Sequence, residues 1–131
     1  MWRILGRMTG WGIVGGLVMA LAGALVLVVA KLGRDGRLRR NHYIGIRVPS
    51  TLSSDEAWRL AHRVAAPSLE AAGRTGLVGG AAGIVVALLD DPALFAIVLG
   101  LAAFGLLAGL AWSTVAAVRA ARTVQSRPVP R

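Results

Sequence analysis

Residues 41–63 read NHYIGIRVPSTLSSDEAWRLAHR and separate two strongly apolar regions of a 131-residue chain. This stretch holds both histidines, one of the four tryptophans and two of the six acidic residues. The sequence on either side is mostly Ala, Gly, Leu and Val, which suits a lipid bilayer but supplies few chemically active side chains. We therefore expect any specific function to depend on the polar stretch.

The composition indicates an integral membrane protein with a single domain covering residues 1–131. Hydrophobic residues make up 56% of the chain, charged residues 16%, and the mean hydropathy is +0.65. The net charge of +9 comes from basic residues at the flanks of apolar runs. Anionic lipid and membrane orientation explain that placement better than direct binding to nucleic acid. The chain has no cysteine, which excludes disulfides, thiol catalysis and cysteine metal sites.

Three apolar stretches are long enough to cross the bilayer as helices. The predicted spans are about 9–31, 70–89 and 92–118. A cleaved signal peptide is the alternative for the first, because Arg3 and Arg7 precede it and Ala22-Gly23-Ala24 resembles a cleavage site. The apolar run continues to Ala30, which favours a retained span.

Small residues recur at helical spacing within these spans. In the first span a small residue stands at every fourth position: Gly12, Gly16, Ala20 and Ala24. The other spans carry Gly-x-x-x-Gly pairs, which in the second are Gly76 with Gly80 and Gly79 with Gly83, and in the third Gly105 with Gly109. Such stripes let helix backbones approach closely. They predict tight packing between the spans, or a homo-oligomer through the same glycine-rich faces.

The polar stretch predicts a short amphipathic helix between the first and second spans. Ser53 and Glu56 match a capping box that starts a helix from about 54 to 66, which Pro67 would end. Helical spacing gives this helix two faces. One face carries Trp58, Ala61 and Ala65, with His62 at its edge, and the opposite, charged face carries Asp55, Arg59 and Arg63. Such a helix suits the membrane surface or packing against the spans.

The distribution of charge predicts the orientation. Thirteen of the fifteen basic residues lie in the 31–74 segment and in the basic tail 119–131, and the turn Asp90-Asp91-Pro92 has none. The positive-inside rule places that segment and the C-terminus in the cytoplasm and the N-terminus outside. Asp91 is the predicted N-cap of the third span, with Pro92 at its first position. We expect disorder beyond Val124.

Motifs for chemistry are weak. Gly10-x-Gly12-x-x-Gly15 fits the dinucleotide-binding pattern, but it lies within a span with no preceding strand, so helix packing explains it better. The hydroxyls between residues 50 and 54 are more simply turn and capping groups than nucleophiles. His42 and His62 lack metal-ligand spacing and fit interfacial histidines better. We predict no catalytic residue, no cofactor and no metal.

Arg47 is the most unusual residue of the stretch. It stands between Ile46 and Val48, just before Pro49, in an apolar patch beside the membrane. An arginine there should find a partner, such as backbone carbonyls, the Asp55 or Glu56 carboxylate, or a lipid phosphate. A structural clamp is the favoured interpretation, and contact with a ligand is the alternative.

These residues resemble the motif of the SdpI family of bacterial membrane proteins, in a short single-domain form. The family pattern is an Asn, then Gly-Ile-Arg with a following Pro and Thr, then Trp and His at helical spacing. The matching positions are Asn41, Gly45, Ile46, Arg47, Pro49, Thr51, Trp58 and His62, with Arg63 following. The likeness covers roughly residues 28–118.

The resemblance implies an all-α, multi-pass protein of the bacterial inner membrane, with a role in toxin immunity or signalling. The partners it implies are a membrane-active peptide toxin and a cytoplasmic transcriptional repressor. Under this hypothesis Arg47, Trp58 and His62 couple the spans to the cytoplasmic face. The alternative is a small scaffold subunit that packs into a larger membrane complex. An enzyme or transporter is disfavoured, because no ionisable residue lies at mid-membrane.

Overall fold

The computed structural model describes the backbone of residues 2–127 and the side chains of residues 9–127. It contains four helices: α1 (Trp2–Arg34), α2 (Pro49–Leu52), α3 (Asp55–Leu88) and α4 (Pro92–Gln125). By length and composition, α1 from Thr9, α3 and α4 can each cross a membrane. No strand occurs in residues 2–127. The predicted all-α fold with three spans is therefore confirmed.

Helices α3 and α4 each begin at a residue whose side chain caps the first turn. The Asp91 carboxylate accepts a hydrogen bond from the Leu94 N–H at 2.9 Å, with Pro92 at the first helical position, as predicted. The predicted capping box at Ser53 is wrong by one residue. Ser53 is the helical C-cap of α2, whereas Ser54 has the extended backbone of an N-cap, and its hydroxyl accepts from the Ala57 N–H at 3.0 Å.

The short amphipathic helix and the second span are one continuous helix, so the prediction that Pro67 ends the first of them is wrong. Proline removes one backbone hydrogen bond and costs about 3 kcal/mol within a helix. Ala65, Ala66 and Leu69 are buried on both sides of exposed Pro67, and their packing against the other helices keeps the axis unbroken. At about 50 Å, α3 is longer than the roughly 30 Å hydrocarbon layer and extends beyond it.

Helices α1 and α3 pack with their backbones almost in contact, through small residues. A Cβ atom at Gly23 would lie 2.2 Å from the Leu77 nitrogen, and one at Gly80 would lie 2.3 Å from the Ala20 nitrogen. Gly12 and Gly16 belong to the same face, and Gly23, three residues after Ala20, continues it. A spacing of four residues drifts around a helix of 3.6 residues per turn, so the contact moves back by one position.

Helix α3 lies between α1 and α4 and also packs closely on α4. The pairs that meet are Gly79 with Ala102, Thr75 with Gly105, and Ala72 with Gly109. Most of the predicted small-residue faces are therefore used inside a single chain. Helices α1 and α4 turn large apolar side chains outward, among them Leu21, Leu25, Leu101 and Phe104. Those outer faces suit lipid tails.

The chain beyond α4 differs from the prediction of a tail beginning at 119. The helix continues to Gln125, because Ala117 and Ala121 are fully buried against the core, and the Glu56 carboxylate pairs with Arg127 at 2.7 Å. The predicted tail residues 128–131 lie outside the described residues.

Candidate functional site

The segment between α1 and α2 is shaped first by Asn41. Its side-chain oxygen accepts hydrogen bonds from the Tyr43 N–H at 2.8 Å and the Ile44 N–H at 2.7 Å. Its amide nitrogen donates to the carbonyls of Arg39 at 2.9 Å and Ile44 at 3.2 Å. An asparagine that bonds its neighbouring backbone in this way stabilises a local turn. Asn41 therefore acts as the organiser of the loop.

Gly45 lets the chain pass directly over the aromatic side chains of α3. Its φ of +111° is rarely adopted by residues with a side chain. A Cβ atom here would lie 2.6 Å from His62 Nε2 and about 3 Å from the Trp58 ring. Both the conformation and the space thus require glycine.

His62 joins the loop to α3 and is fully buried. The Ile46 N–H donates to Nε2 at 2.8 Å, and Nδ1 lies 2.9 Å from the Trp58 carbonyl oxygen. Because the Ile46 N–H can only donate, Nε2 carries the lone pair and Nδ1 carries the proton, which defines a neutral ring. The sequence placed His62 at the edge of the helix face that carries Trp58, whereas it lies at the centre of the contact with the loop and with Gly33 of α1.

Trp58 fixes the start of the loop. The indole N–H donates to the Leu38 carbonyl at 2.8 Å, and the ring centroid lies 4.1 Å from that of His62. Only 1% of Trp58 is exposed. A buried indole with its N–H bonded is a structural anchor and leaves no open face for a ligand.

Thr51, which is buried, and Pro49, which is exposed, complete the unit. The Thr51 hydroxyl donates to the Ile46 carbonyl at 2.7 Å and accepts from the Val48 N–H at 3.2 Å. Pro49 begins α2, where a missing N–H has no cost. Four residues hold the loop by side-chain hydrogen bonds, and two shape its backbone. Together these six residues form an assembly that we call the motif knot: Asn41, Thr51, Trp58 and His62, with Gly45 and Pro49.

Two residues of the motif, Arg47 and Arg63, lie on the surface of the knot. Both are exposed, and neither makes an ion pair or hydrogen bond with the residues for which side chains are described. The carboxylates suggested as clamps for Arg47 have other partners: Asp55 pairs with Arg40 at 3.1 Å, and Glu56 pairs with Arg127. Arg47 therefore has no intramolecular clamp within residues 9–127.

Arg40 performs the structural role that the sequence suggested for Arg47. Its guanidinium donates to the Leu52 carbonyl at 2.8 Å, besides pairing with Asp55. These contacts tie the loop to the end of α2 and the start of α3. No signal in the sequence separated Arg40 from its basic neighbours, because the Arg37 to Arg40 run looks like an ordinary membrane flank.

Glu70 forms a second polar connection, between α1 and α3. Its carboxylate pairs with Arg34 of α1 and with Arg74 one turn along α3, the latter at 2.6 Å. Nothing in the sequence indicated that Glu70 would pair with a residue of α1. The ion pairs hold the motif end of the bundle together.

The weak chemical motifs have structural explanations. Ser53 donates to the Ser50 carbonyl at 2.8 Å and Ser54 caps α3, so these hydroxyls serve turns and caps. Gly12 and Gly15 of the dinucleotide-like pattern belong to α1 and face the Phe95 ring of α4. His42 is exposed, and no group of three metal-ligating side chains occurs in the described part of the chain.

A cleft opens at the opposite end of the bundle, about 160 Å³ in volume. It is bounded by the start of α1 and by the turn into α4, with walls formed by Thr9, Trp11, Gly12, Ala87, Asp90, Asp91, Pro92 and Phe95. Its surface is mainly apolar, with two carboxylates at the rim. The Asp90 carboxylate accepts from the Thr9 hydroxyl at 3.4 Å. We call this the distal cleft.

Comparison with known proteins gives one match, to a protein family, and it covers the segment that contains the motif knot. No curated protein and no solved structure was found to match the chain. The sequence model of the SdpI/YfhL protein family matches residues 37–117, which include the whole knot, α3 and most of α4. The chain therefore belongs to the SdpI/YfhL protein family.

Proposed function

We propose that this membrane protein confers immunity to a membrane-active peptide toxin, relays the presence of that peptide to a cytoplasmic regulator, or does both. The observation that carries the proposal is the motif knot with Arg47 exposed on its surface. Six motif residues build a rigid support, and the arginine it presents has no intramolecular partner within residues 9–127. An exposed, unpaired arginine on a rigid support suits contact with a partner. This role needs no catalysis.

The proposed location is the bacterial inner membrane, with the motif knot and C-terminus in the cytoplasm and the N-terminus outside. The support is the asymmetry of charge. The knot end of the bundle carries nearly all Lys and Arg residues, whereas the distal turn carries only Asp90 and Asp91. The distal cleft then faces the outside, where a secreted peptide arrives.

Helix α3 offers a physical connection between the two ends. It runs without interruption from the knot to the distal turn and contacts α1 at both ends. At the distal end, a Cβ atom at Gly12 would lie 2.7 Å from the Ala87 Cβ. At the knot, one at Gly33 would lie 3.1 Å from the His62 Cβ. A peptide that enters the distal cleft would move α1 against α3, and the knot would register that movement.

Peptide challenge tests this function. Cells that lack the gene would be exposed to a panel of membrane-active peptides, then complemented with wild-type protein, Phe95→Ala or Phe104→Ala. Phe95 lines the distal cleft, whereas Phe104 is 73% exposed on the outer face of α4 and serves as the matched control. We expect Phe95→Ala alone to lose protection. Unchanged sensitivity of the deletion strain to every peptide would remove the immunity proposal.

The alternative function is that of a scaffold subunit in a larger membrane complex. One observation favours it: Gly100 on α4 has no neighbouring atom within 4 Å of an added Cβ, so this small residue packs on none of the described residues. Purification in mild detergent, followed by mass measurement of the particle, distinguishes the two. A stable co-purifying subunit supports the scaffold, and a monomer contradicts it.

A further inference from the structure

We infer that a shallow cleft between the start of α2 and the end of α4 binds the head group of an anionic phospholipid. The cleft is lined by Val48, Pro49 and Ser50 on one side and by Val118, Arg122 and Gln125 on the other. Its volume is about 380 Å³. It shares Pro49 with the motif knot, and the inference is independent of the proposed immunity role.

The polar groups of this cleft have no partners within the protein. The Arg122 guanidinium, the Gln125 amide and the Ser50 hydroxyl make no side-chain hydrogen bond or ion pair with any other residue of which side chains are described. Arg122 is the one charged residue of the lining, and no carboxylate belongs to it. The cleft therefore offers a net positive charge together with groups that can bond to hydroxyls.

The depth of the cleft agrees with the position of lipid head groups. From Pro92 to Val118, α4 covers about 40 Å, close to the thickness of a bilayer including its polar layers. Val118 then falls near the edge of the bilayer, and Arg122 lies one turn farther out. Trp112 is 65% exposed on the same helix, as expected for an interfacial aromatic residue. Val115, which precedes Val118 by about one turn of α4, is exposed, so acyl chains can follow this helix while the phosphate meets Arg122.

The charge pattern selects the lipid class. A zwitterionic head group adds an ammonium ion, for which the lining has no carboxylate or aromatic partner. Phosphatidylglycerol has a single phosphate charge and two head-group hydroxyls. Arg122 matches the charge, and Ser50 and Gln125 match the hydroxyls. The occupant we assign is thus an anionic glycerophospholipid with a polyol head group.

The test is lipid titration of the delipidated full-length protein in detergent, followed by native mass spectrometry. The probes are phosphatidylglycerol and phosphatidylcholine with identical acyl chains, and soluble glycerol phosphate. The expected result is preferential one-to-one binding of phosphatidylglycerol, weakened about fivefold in Arg122→Gln, since one basic residue near an anionic surface has an effect of that order. Gln125→Leu is the second variant and should also weaken binding.

Arg59→Gln is the matched control. Arg59 of α3 is also exposed and unpaired within the described side chains. Ala72 of α3 meets Gly109 of α4, and Arg59 and Arg122 are equally far along their antiparallel helices from that contact, so they lie at the same level. The control should bind phosphatidylglycerol as the wild type does. Equal binding of the two phospholipids, equal losses in the two arginine variants, or equally tight binding of glycerol phosphate would each overturn the inference.

Discussion

The Ile46 N–H donates a 2.8 Å hydrogen bond to Nε2 of His62, sixteen residues farther along the chain. This bond fixes the loop onto α3 and determines the tautomer of the ring, whose Nδ1–H then donates to the Trp58 carbonyl. A protonated ring could not accept from Ile46. The histidine of the family motif is therefore a structural hydrogen-bond acceptor in this chain.

Replacing His62 with alanine should destabilise the protein. The change leaves the Ile46 N–H without its partner and opens a cavity at a fully buried position, a combined cost of roughly 2–4 kcal/mol. Thermal stability of the detergent-solubilised protein measures the effect. His42→Ala is the matched control, because His42 is exposed and belongs to the same loop. Similar melting temperatures for the two variants would contradict the role given to His62.

Gly45→Ala should be more damaging than its small size suggests. The added methyl group meets His62 Nε2 at 2.6 Å, and the φ of +111° adds strain of roughly 1–3 kcal/mol. Gly100→Ala is the control, since nothing lies within 4 Å of its added Cβ and alanine is favoured within a helix. We expect low abundance for the first variant and wild-type abundance for the second. Equal abundance of the two variants would contradict the loop conformation described at Gly45.

Arg47→Ala should leave abundance and thermal stability almost unchanged, because it removes no hydrogen bond or ion pair to the side chains described within residues 9–127. Arg40→Ala should lower stability by roughly 0.5–1.5 kcal/mol, since it releases the Leu52 carbonyl and Asp55. Under the proposed function, Arg47→Ala should nevertheless lose peptide protection. A large fall in abundance for Arg47→Ala would restore the clamp interpretation.

The fold was predictable because hydrophobic length and helix-start signals are local. Asp91 and Pro92 began α4 as expected, and the spans were recognised from their apolar runs. The continuity of α3 was not predictable, since the rule that proline ends a helix is also local. The helix continues through Pro67 because Ala65, Ala66 and Leu69 pack against the other helices, and that tertiary packing is not visible in a local pattern.

The burial of Trp58 was predictable from its helical face, but the separate roles of the motif residues were not. The sequence placed Trp58 and His62 on one helical face, and both are buried there. Which of Arg40 and Arg47 meets Asp55 depends on the path of the loop, and that path is determined by Asn41 and by the positive φ of Gly45. Neither appears in a hydrophobic or charge pattern.

The contact between α1 and α3 gives a further prediction. Gly23→Val should separate these helices, because even a Cβ atom at this position would lie 2.2 Å from the Leu77 nitrogen. Cysteine cross-linking between α1 and α3, or loss of the folded species in mild detergent, measures the separation. Gly10→Val on the same helix is the control, since nothing lies within 4 Å of its added Cβ. A folded, cross-linkable Gly23→Val protein would contradict the packing.

The proposed orientation predicts opposite accessibility at the two ends of the bundle. The chain has no cysteine, so one introduced thiol gives an unambiguous signal. Tyr43→Cys, at a position 89% exposed on the loop of the motif knot, should react with a membrane-impermeant maleimide only after the cells are opened. Asp90→Cys in the distal turn should react in intact cells.

The positive-inside rule requires this asymmetry, because moving the basic knot end across the membrane is disfavoured. Labelling of Tyr43→Cys in intact cells would reverse the topology. The distal cleft would then face the cytoplasm, out of reach of a secreted peptide.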